Sequence, residues 1–257
     1  MSSGVTRREA VRRIGTAGAA IALGPSTSLG AGGRVIRGRQ NDIVIGGRPV
    51  EIVVTSISDL TARITVLPIE GGKSLSIPDD GGVAQPNAGT PAGSGRAPDT
   101  FKPIRAGSLS VRWAQGAIHV ESTSGRPVQR LGFDAQAPDM TFLLPRGPLL
   151  GLGQGGPQFD RKGQTFATRS GQGGYQLATH GARVPIQWLV GTDGWAMFIH
   201  QPYGAFDLTG EQGRFTPAAP GAPFDVFVVA ASEPAAIMRE YARITGLAAM
   251  PPLWTFG

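Results

Sequence analysis

Apolar and polar residues alternate with a period near two over much of the chain after Val35. The segments 50-VEIVVTSIS-58 and 61-TARITVLPI-69 carry β-branched residues in partial alternation and are joined by a Ser/Asp corner, the pattern of neighbouring antiparallel strands. Further strands are predicted at 108-SLSVRWA-114, 117-AIHVEST-123, 141-TFLL-144, 185-PIQWLV-190, 195-WAMFIH-200 and 224-FDVFVVA-230. Turn formers separate them: Gln115-Gly116, Gly125-Arg126-Pro127 and Gly191-Thr192-Asp193-Gly194. Many short strands with short turns predict a mainly β chain folded as an antiparallel β-sandwich.

Two stretches break this pattern. In 232-SEPAAIMREYARITG-246 the period becomes helical: Ser232 is a candidate cap, Pro234 suits the first turn, Ile237, Tyr241 and Ile244 share a face, and Gly246 closes it. Pro251-Pro252 then forbids further helix, and Leu253 to Phe256 reads as the start of a strand. The stretch 78-PDDGGVAQPNAGTPAGSGRAPDTFKP-103 holds too few apolar residues for a core of its own and reads as a surface loop inserted in the sandwich.

Composition agrees with a turn-rich β protein: 257 residues with 39 glycines and 21 prolines, and no cysteine. The absence of cysteine excludes disulfides, thiolate metal sites and catalytic thiols together. Four of the 24 basic residues (Arg7, Arg8, Arg12, Arg13) and one of the 18 acidic ones (Glu9) fall within the first 30, leaving a nearly balanced 20 against 17 beyond them. No basic run interleaved with aromatics follows residue 40, so nucleic acid is not an expected partner. The head, 6-TRREAVRRIGTAGAAIALG-24, has the charged-then-apolar order of a secretory signal peptide over 1–30, and Arg7-Arg8 points to the twin-arginine route. Its apolar run is too short to span a bilayer. The alternative reading is a basic amphipathic helix; export to the periplasm or the extracellular space is the expectation carried forward.

Candidate chemistry is sparse. The run 151-GLGQGG-156 lacks the helix and acidic residue of a dinucleotide site, and its glycines are expected to allow tight backbone turns beside a binding cleft or another domain. His119, His180 and His200 lie far apart without metal-ligand spacing, and structural, hydrogen-bonded roles are expected of His119 and His200, which end or interrupt strands. Neither a metal nor a cofactor is implied. No G-x-S-x-G elbow is present, and Asp160, Asp193, Asp207 and Asp225 read as turn and surface carboxylates rather than an acid/base pair. The segment 154–210 is different: Arg161, Lys162, Arg169, Gln172, Tyr175, His180 and Arg183 crowd a long glycine-rich stretch. Long loops of this kind usually carry function. Fork-shaped donors beside aromatic rings suit a carbohydrate, whose hydroxyls take hydrogen bonds and whose C–H faces stack.

The order 149-LLGLGQ-154, the polar loop, 184-VPIQWLVGTDGWAMFIHQPYGAFDLTG-210 and 224-FDVFVVAASEPAAIMREYARITGLAAMPPLWTFG-257 resembles the N-terminal part of glycoside hydrolase family 31, the α-glucosidases and α-xylosidases. Its most specific piece is Y-x-x-x-T-G-x-x-x-M-P-P-x-W-x-x-G, from Tyr241 to Gly257. The resemblance implies a galactose-mutarotase-like sandwich over 31–231, a helix and the start of a catalytic barrel over 232–257, and a (β/α)8 barrel of roughly 250 further residues missing from this chain. The two catalytic aspartates of such an enzyme belong to that barrel, so no residue here inherits a catalytic role. The family's sandwich also lends one loop to the sugar pocket. Its place here is 166-FATRSGQGGY-175, with Arg169 or Ser170 where the family has aspartate and Gln154 where it has glutamate. Arg169, Gln172 and Tyr175 are the expected substrate-binding residues. The resemblance thus implies an exported retaining glycosidase of α-glucosides or α-xylosides, whose sandwich shapes the sugar pocket and whose partner is its own barrel. A self-standing, non-catalytic carbohydrate-binding module is the alternative; a sugar epimerase would need a converging His and Glu that the sequence does not suggest.

Overall fold

The computed structural model describes residues 41–77, 84, 88–153, 159–168, 184–201, 203–247 and 250–256, with only the backbone at 253 and 256. The expected leader over 1–30 lies outside the described residues. Among the described residues, seventeen strands form two sheets packed face to face, with one α-helix on the outside of the first.

The first sheet has at its centre β2 (Arg48–Ser56) and β3 (Thr61–Glu70), followed across the sheet by β17 (Phe224–Val229), β14 (Trp195–His200), β13 (Trp188–Gly191) and β11 (Leu149–Gly151). Short strands β1 (Val44–Ile45) and β5 (Thr90–Gly95) add to β2, and β4 (Lys73–Ser74) adds to β3. The second sheet runs β12 (Thr165–Ala167), β15 (Gly204–Asp207), β16 (Gln212–Pro217), β10 (Met140–Leu143), β9 (Pro127–Phe133), β8 (Ala117–Ser122), β7 (Leu109–Ala114) and β6 (Ile104–Ala106). Every pairing is antiparallel.

Alternation decides which side chains meet between the sheets. From the first sheet come Val50, Ile52 and Val54 of β2, Ala62, Ile64 and Val66 of β3, and Val226 and Val228 of β17; the second contributes Phe142, Phe206 and Phe215. Each of these phenylalanines is almost fully buried, worth about 1.5–3 kcal/mol apiece. Phe206 and Phe215 sit 4.9 Å apart between ring centroids.

On the outer face of the first sheet a second apolar layer, Trp188, Ala196, Phe198, Phe227 and Val229, receives helix α1 (Pro234–Thr245) through Ile237, Tyr241 and Ile244. This is the face the sequence predicts. Glu240, on the same side, is buried and accepts hydrogen bonds from the hydroxyls of Thr61 (2.6 Å) and Ser58, with Arg243 Nε at 3.2 Å. A carboxylate can sit under a helix only because those donors replace water.

Four expectations need correction. The 78–103 insertion is not all loop: β5 lies within it and pairs with β2 from Ile52↔Gly95 to Ser56↔Thr90. Its glycines hide the signal, yet Gly95 is what admits Phe101, since a Cβ there would lie 2.3 Å from that buried ring. Leu253–Phe256 forms a 3-10 turn rather than a strand; Thr255 N–H bonds back to the carbonyl of Pro252 at 2.9 Å, closing a tight turn after the proline pair. The helix begins after Glu233, not Ser232, and no side chain caps it; proline in the first turn removes one amide that would need a partner. Asp225 is neither turn nor surface but sits mid-strand and buried.

Candidate functional site

The three residues expected to touch substrate, Arg169, Gln172 and Tyr175, lie outside the described residues, as do Gln154 and His180. The end of the sandwich from which that stretch departs is described. It consists of the corner Gly151–Gly153 at the end of β11, the segment Phe159–Thr168 that includes β12, and the segment Val184–Gln187 leading into β13.

The glycines of the corner meet a demand that only glycine satisfies. A Cβ on Gly151 would lie 2.0 Å from the carbonyl oxygen of Trp188, and one on Gly153 only 1.9 Å from that of Val184. The chain bends tightly here, as expected of this motif, and what closes on the bend is the backbone at Trp188 and Val184 of the same sandwich. Leu152 between them takes φ 60°, a left-handed conformation costing roughly 1–2 kcal/mol for a non-glycine residue. Its N–H reaches the Trp188 carbonyl at 2.8 Å, and its side chain is buried in the inter-sheet core.

Arg161, counted among the polar donors of the loop in the sequence, is buried instead. Its Nε donates to the carbonyl of Gly151 at 2.9 Å and its Nη2 to that of Gly153 at 3.3 Å. The guanidinium lies 5.6 Å from the ring centroid of Phe166 on β12, within cation–π range. Next to it, Asp160 accepts the amides of Leu149 (3.0 Å) and Lys162 (3.1 Å). Desolvation pushes the Asp160 carboxyl upward, but those two amides and the Lys162 charge outweigh it and leave its pKa below the ordinary value. Thr168, the last described residue of this segment, binds the Gly204 carbonyl through both N–H (2.8 Å) and hydroxyl (3.0 Å).

The other singled-out residues do not join this end. Asp193 is exposed in the β13–β14 turn, and Asp207 accepts from Thr209 within its own turn. Asp225 lies on the outer face of the first sheet and takes both Arg63 Nε (2.9 Å to Oδ2) and Nη2 (2.7 Å), with the Thr65 hydroxyl at 2.8 Å. His200 is placed opposite Asp225 in the strand register, its Nδ1 3.6 Å from Oδ2 and without a hydrogen bond. His119 Nε2 is likewise buried without a partner, so the hydrogen-bonded role expected of both histidines is not met at these atoms. Burial first, then the charges of Arg112 and Arg130, hold the His119 pKa below its ordinary value, against the opposing pull of the Ala114 backbone and Glu121. Sequence reasoning does not find the buried Arg63–Asp225 pair. Its one signal is a lone Arg and a lone Asp, each set between apolar residues (Ala62 and Ile64, Phe224 and Val226) in a strand. Among the described residues no cluster of three or more histidines and carboxylates could hold a metal, and no helix is long and apolar enough to cross a membrane.

No protein-family model matches the chain, and no curated protein does. Solved structures do. A Flavobacterium johnsoniae dextranase of glycoside hydrolase family 31, seen with isomaltotriose, superposes with a TM-score of 0.61 at 15% identity over 85% of this chain and 30% of its own. The likeness is to enzymes of glycoside hydrolase family 31. A xylosidase from Aspergillus niger gives 0.56 at 16% identity, covering 82% of this chain and 33% of the other. A family-31 α-xylosidase from a soil metagenome, complexed with xylose, gives 0.52 at 15% identity over 83% and 35%. The chain thus spans about a third of the length of the enzymes whose fold it shares, and what it shares with them is a β-sandwich.

Proposed function

We propose that this chain is the N-terminal sandwich of an exported retaining glycosidase of family-31 type, acting on α-glucosides or α-xylosides. The observation that carries the reading is the agreement of two independent features. The fold follows family-31 enzymes over 85% of the chain, and the chain holds the run from Tyr241 through Met250, Pro251, Pro252 and Trp254 by which it resembles that family. In this reading the sandwich shapes one wall of a sugar pocket through Arg169, Gln172 and Tyr175. A barrel supplies the nucleophile and the acid/base, two carboxylates that act through a covalent glycosyl-enzyme. The Arg7-Arg8 leader supports export. Solved neighbours that hold isomaltotriose and xylose support a carbohydrate ligand.

The test is hydrolysis of p-nitrophenyl α-glucoside and α-xyloside by the product of the complete reading frame, with the 257-residue chain as control. Turnover by the former and none by the latter is the expected outcome. If neither turns over and the chain alone binds isomaltotriose, the carbohydrate-binding module takes the place of the glycosidase.

A further inference from the structure

Gly151, Leu152 and Gly153 have φ of 109°, 60° and 78°, three consecutive residues in a region that L side chains rarely adopt. The two glycines adopt it without steric cost, but a non-glycine residue such as Leu152 held this way persists only where surrounding structure over-determines it, and such strain gathers at functional sites. Here the surroundings are specific. Two carbonyls of the corner face one buried guanidinium, at 2.9 and 3.3 Å from Arg161, and that guanidinium lies against Phe166 on the opposite sheet. One side chain therefore joins the end of β11 in the first sheet to β12 in the second. From these two strands the chain runs on past Gly153 and past Thr168. A planar fork of several donors suits two carbonyls and a ring face at once, whereas a lysine ammonium is a single point charge on a flexible stem.

We propose that Arg161 is a positioning residue for the sugar-facing end of the sandwich. It fixes the strained corner and β12 relative to one another, and so sets the directions in which the chain leaves Gly153 and Thr168. This rests on the family-31 reading above, and it assigns Arg161 a role through backbone rather than through contact with substrate.

The experiment compares wild type with Arg161→Met and Arg161→Lys. In the 257-residue chain, amide hydrogen exchange is followed at Leu152 and Thr168, whose N–H groups bind Trp188 and Gly204, with Val111 in β7 as a remote reference. In the complete gene product, KM and kcat for an α-glucoside are measured. Arg161→Met should speed exchange at Leu152 and Thr168 by about tenfold or more with Val111 unmoved. It should raise KM about tenfold with kcat within about threefold, and Arg161→Lys should fall between the two, which guards against a Met variant that fails to fold. Unchanged exchange at Leu152 overturns the positioning role. Faster exchange with unchanged KM overturns its link to substrate and leaves Arg161 a fold residue. A wild-type gene product that hydrolyses neither substrate overturns the glycosidase reading and the sugar-side role with it, an outcome that the exchange data separate from failure of the corner itself.

Discussion

Among the described residues, two places put a non-glycine residue at positive φ and follow it with glycine: Gln115-Gly116 and Leu152-Gly153. The first is a two-residue loop between β7 and β8, whose flanking Ala114 and Ala117 face each other in register. Two left-handed residues give the twist a tight hairpin needs, and a Cβ on Gly116 would meet nothing nearer than the Phe133 carbonyl at 3.6 Å. The second is a corner with no hairpin to serve. Its geometry is imposed by Trp188, Val184 and Arg161. A local turn is specified by the residues in it; a remotely held corner is specified by residues that only the finished fold brings near.

The same contrast divides the carboxylates. Asp134 accepts the amides of Gln136 and Ala137, two and three positions on, while Asp225 depends on Arg63 and Thr65, 162 and 160 positions away. Asp225→Ala should give the largest loss of stability, about 3–5 kcal/mol, because it removes the buried carboxylate that pairs with the Arg63 guanidinium. Asp134→Ala should leave the melting temperature nearly unchanged, and equal losses for the two would break the distinction. Gly153→Ala comes next: the left-handed φ and the collision with Val184 together should cost about 2–5 kcal/mol in denaturant unfolding. Gly116→Ala, strained but unobstructed, should cost about 1 kcal/mol, so a ratio near one between the two glycines would show that the corner relaxes freely. The smallest effect is a pH slope at His119. Its folded pKa lies below the ordinary 6.5, so as pH falls through that value the unfolded chain binds a proton that the folded chain does not. Its contribution is therefore complete above 6.5 and declines below it. His119→Gln should flatten the loss of stability between about pH 7 and 5, and an unchanged slope would remove His119 from the account.

The division between local and remote specification also decides which parts of the molecule are legible in its sequence. The sandwich is, because β2 and β3 advertise themselves by β-branched residues in partial alternation, β7, β8, β14 and β17 by short apolar-rich runs between turn formers, and α1 by its helical stripe of Ile237, Tyr241 and Ile244. Strand β5 is not: its glycines suit a strand only because Phe101 lies across them. The 3-10 turn at 253–256 escapes a sequence reading because proline stops a helix yet leaves the conformation of the next residues open. At the candidate site, the glycines of 151–153 announce a tight turn but not what packs against it. Arg161 reads as one donor among many, because its partners are carbonyls that every residue possesses. The corner is readable as chemistry only once β11 and β12 are seen to be joined by that one guanidinium.

The pairing of β3 with β17 also governs the order in which a growing chain can fold. The meander β6 to β10 joins strands that succeed one another directly and can assemble as soon as it has been synthesised. The first sheet must wait: β3 pairs early with β2, but its other edge finds a partner only when residues 224–229 are made. Until then Ile64 and Val66 sit on an open strand edge, the kind that invites wrong pairing. The interval between synthesis of β3 and synthesis of β17 is thus the one in which this sandwich is most exposed to aggregation, and slowing translation just downstream of Val229 would lengthen the time in which β17 can close that edge.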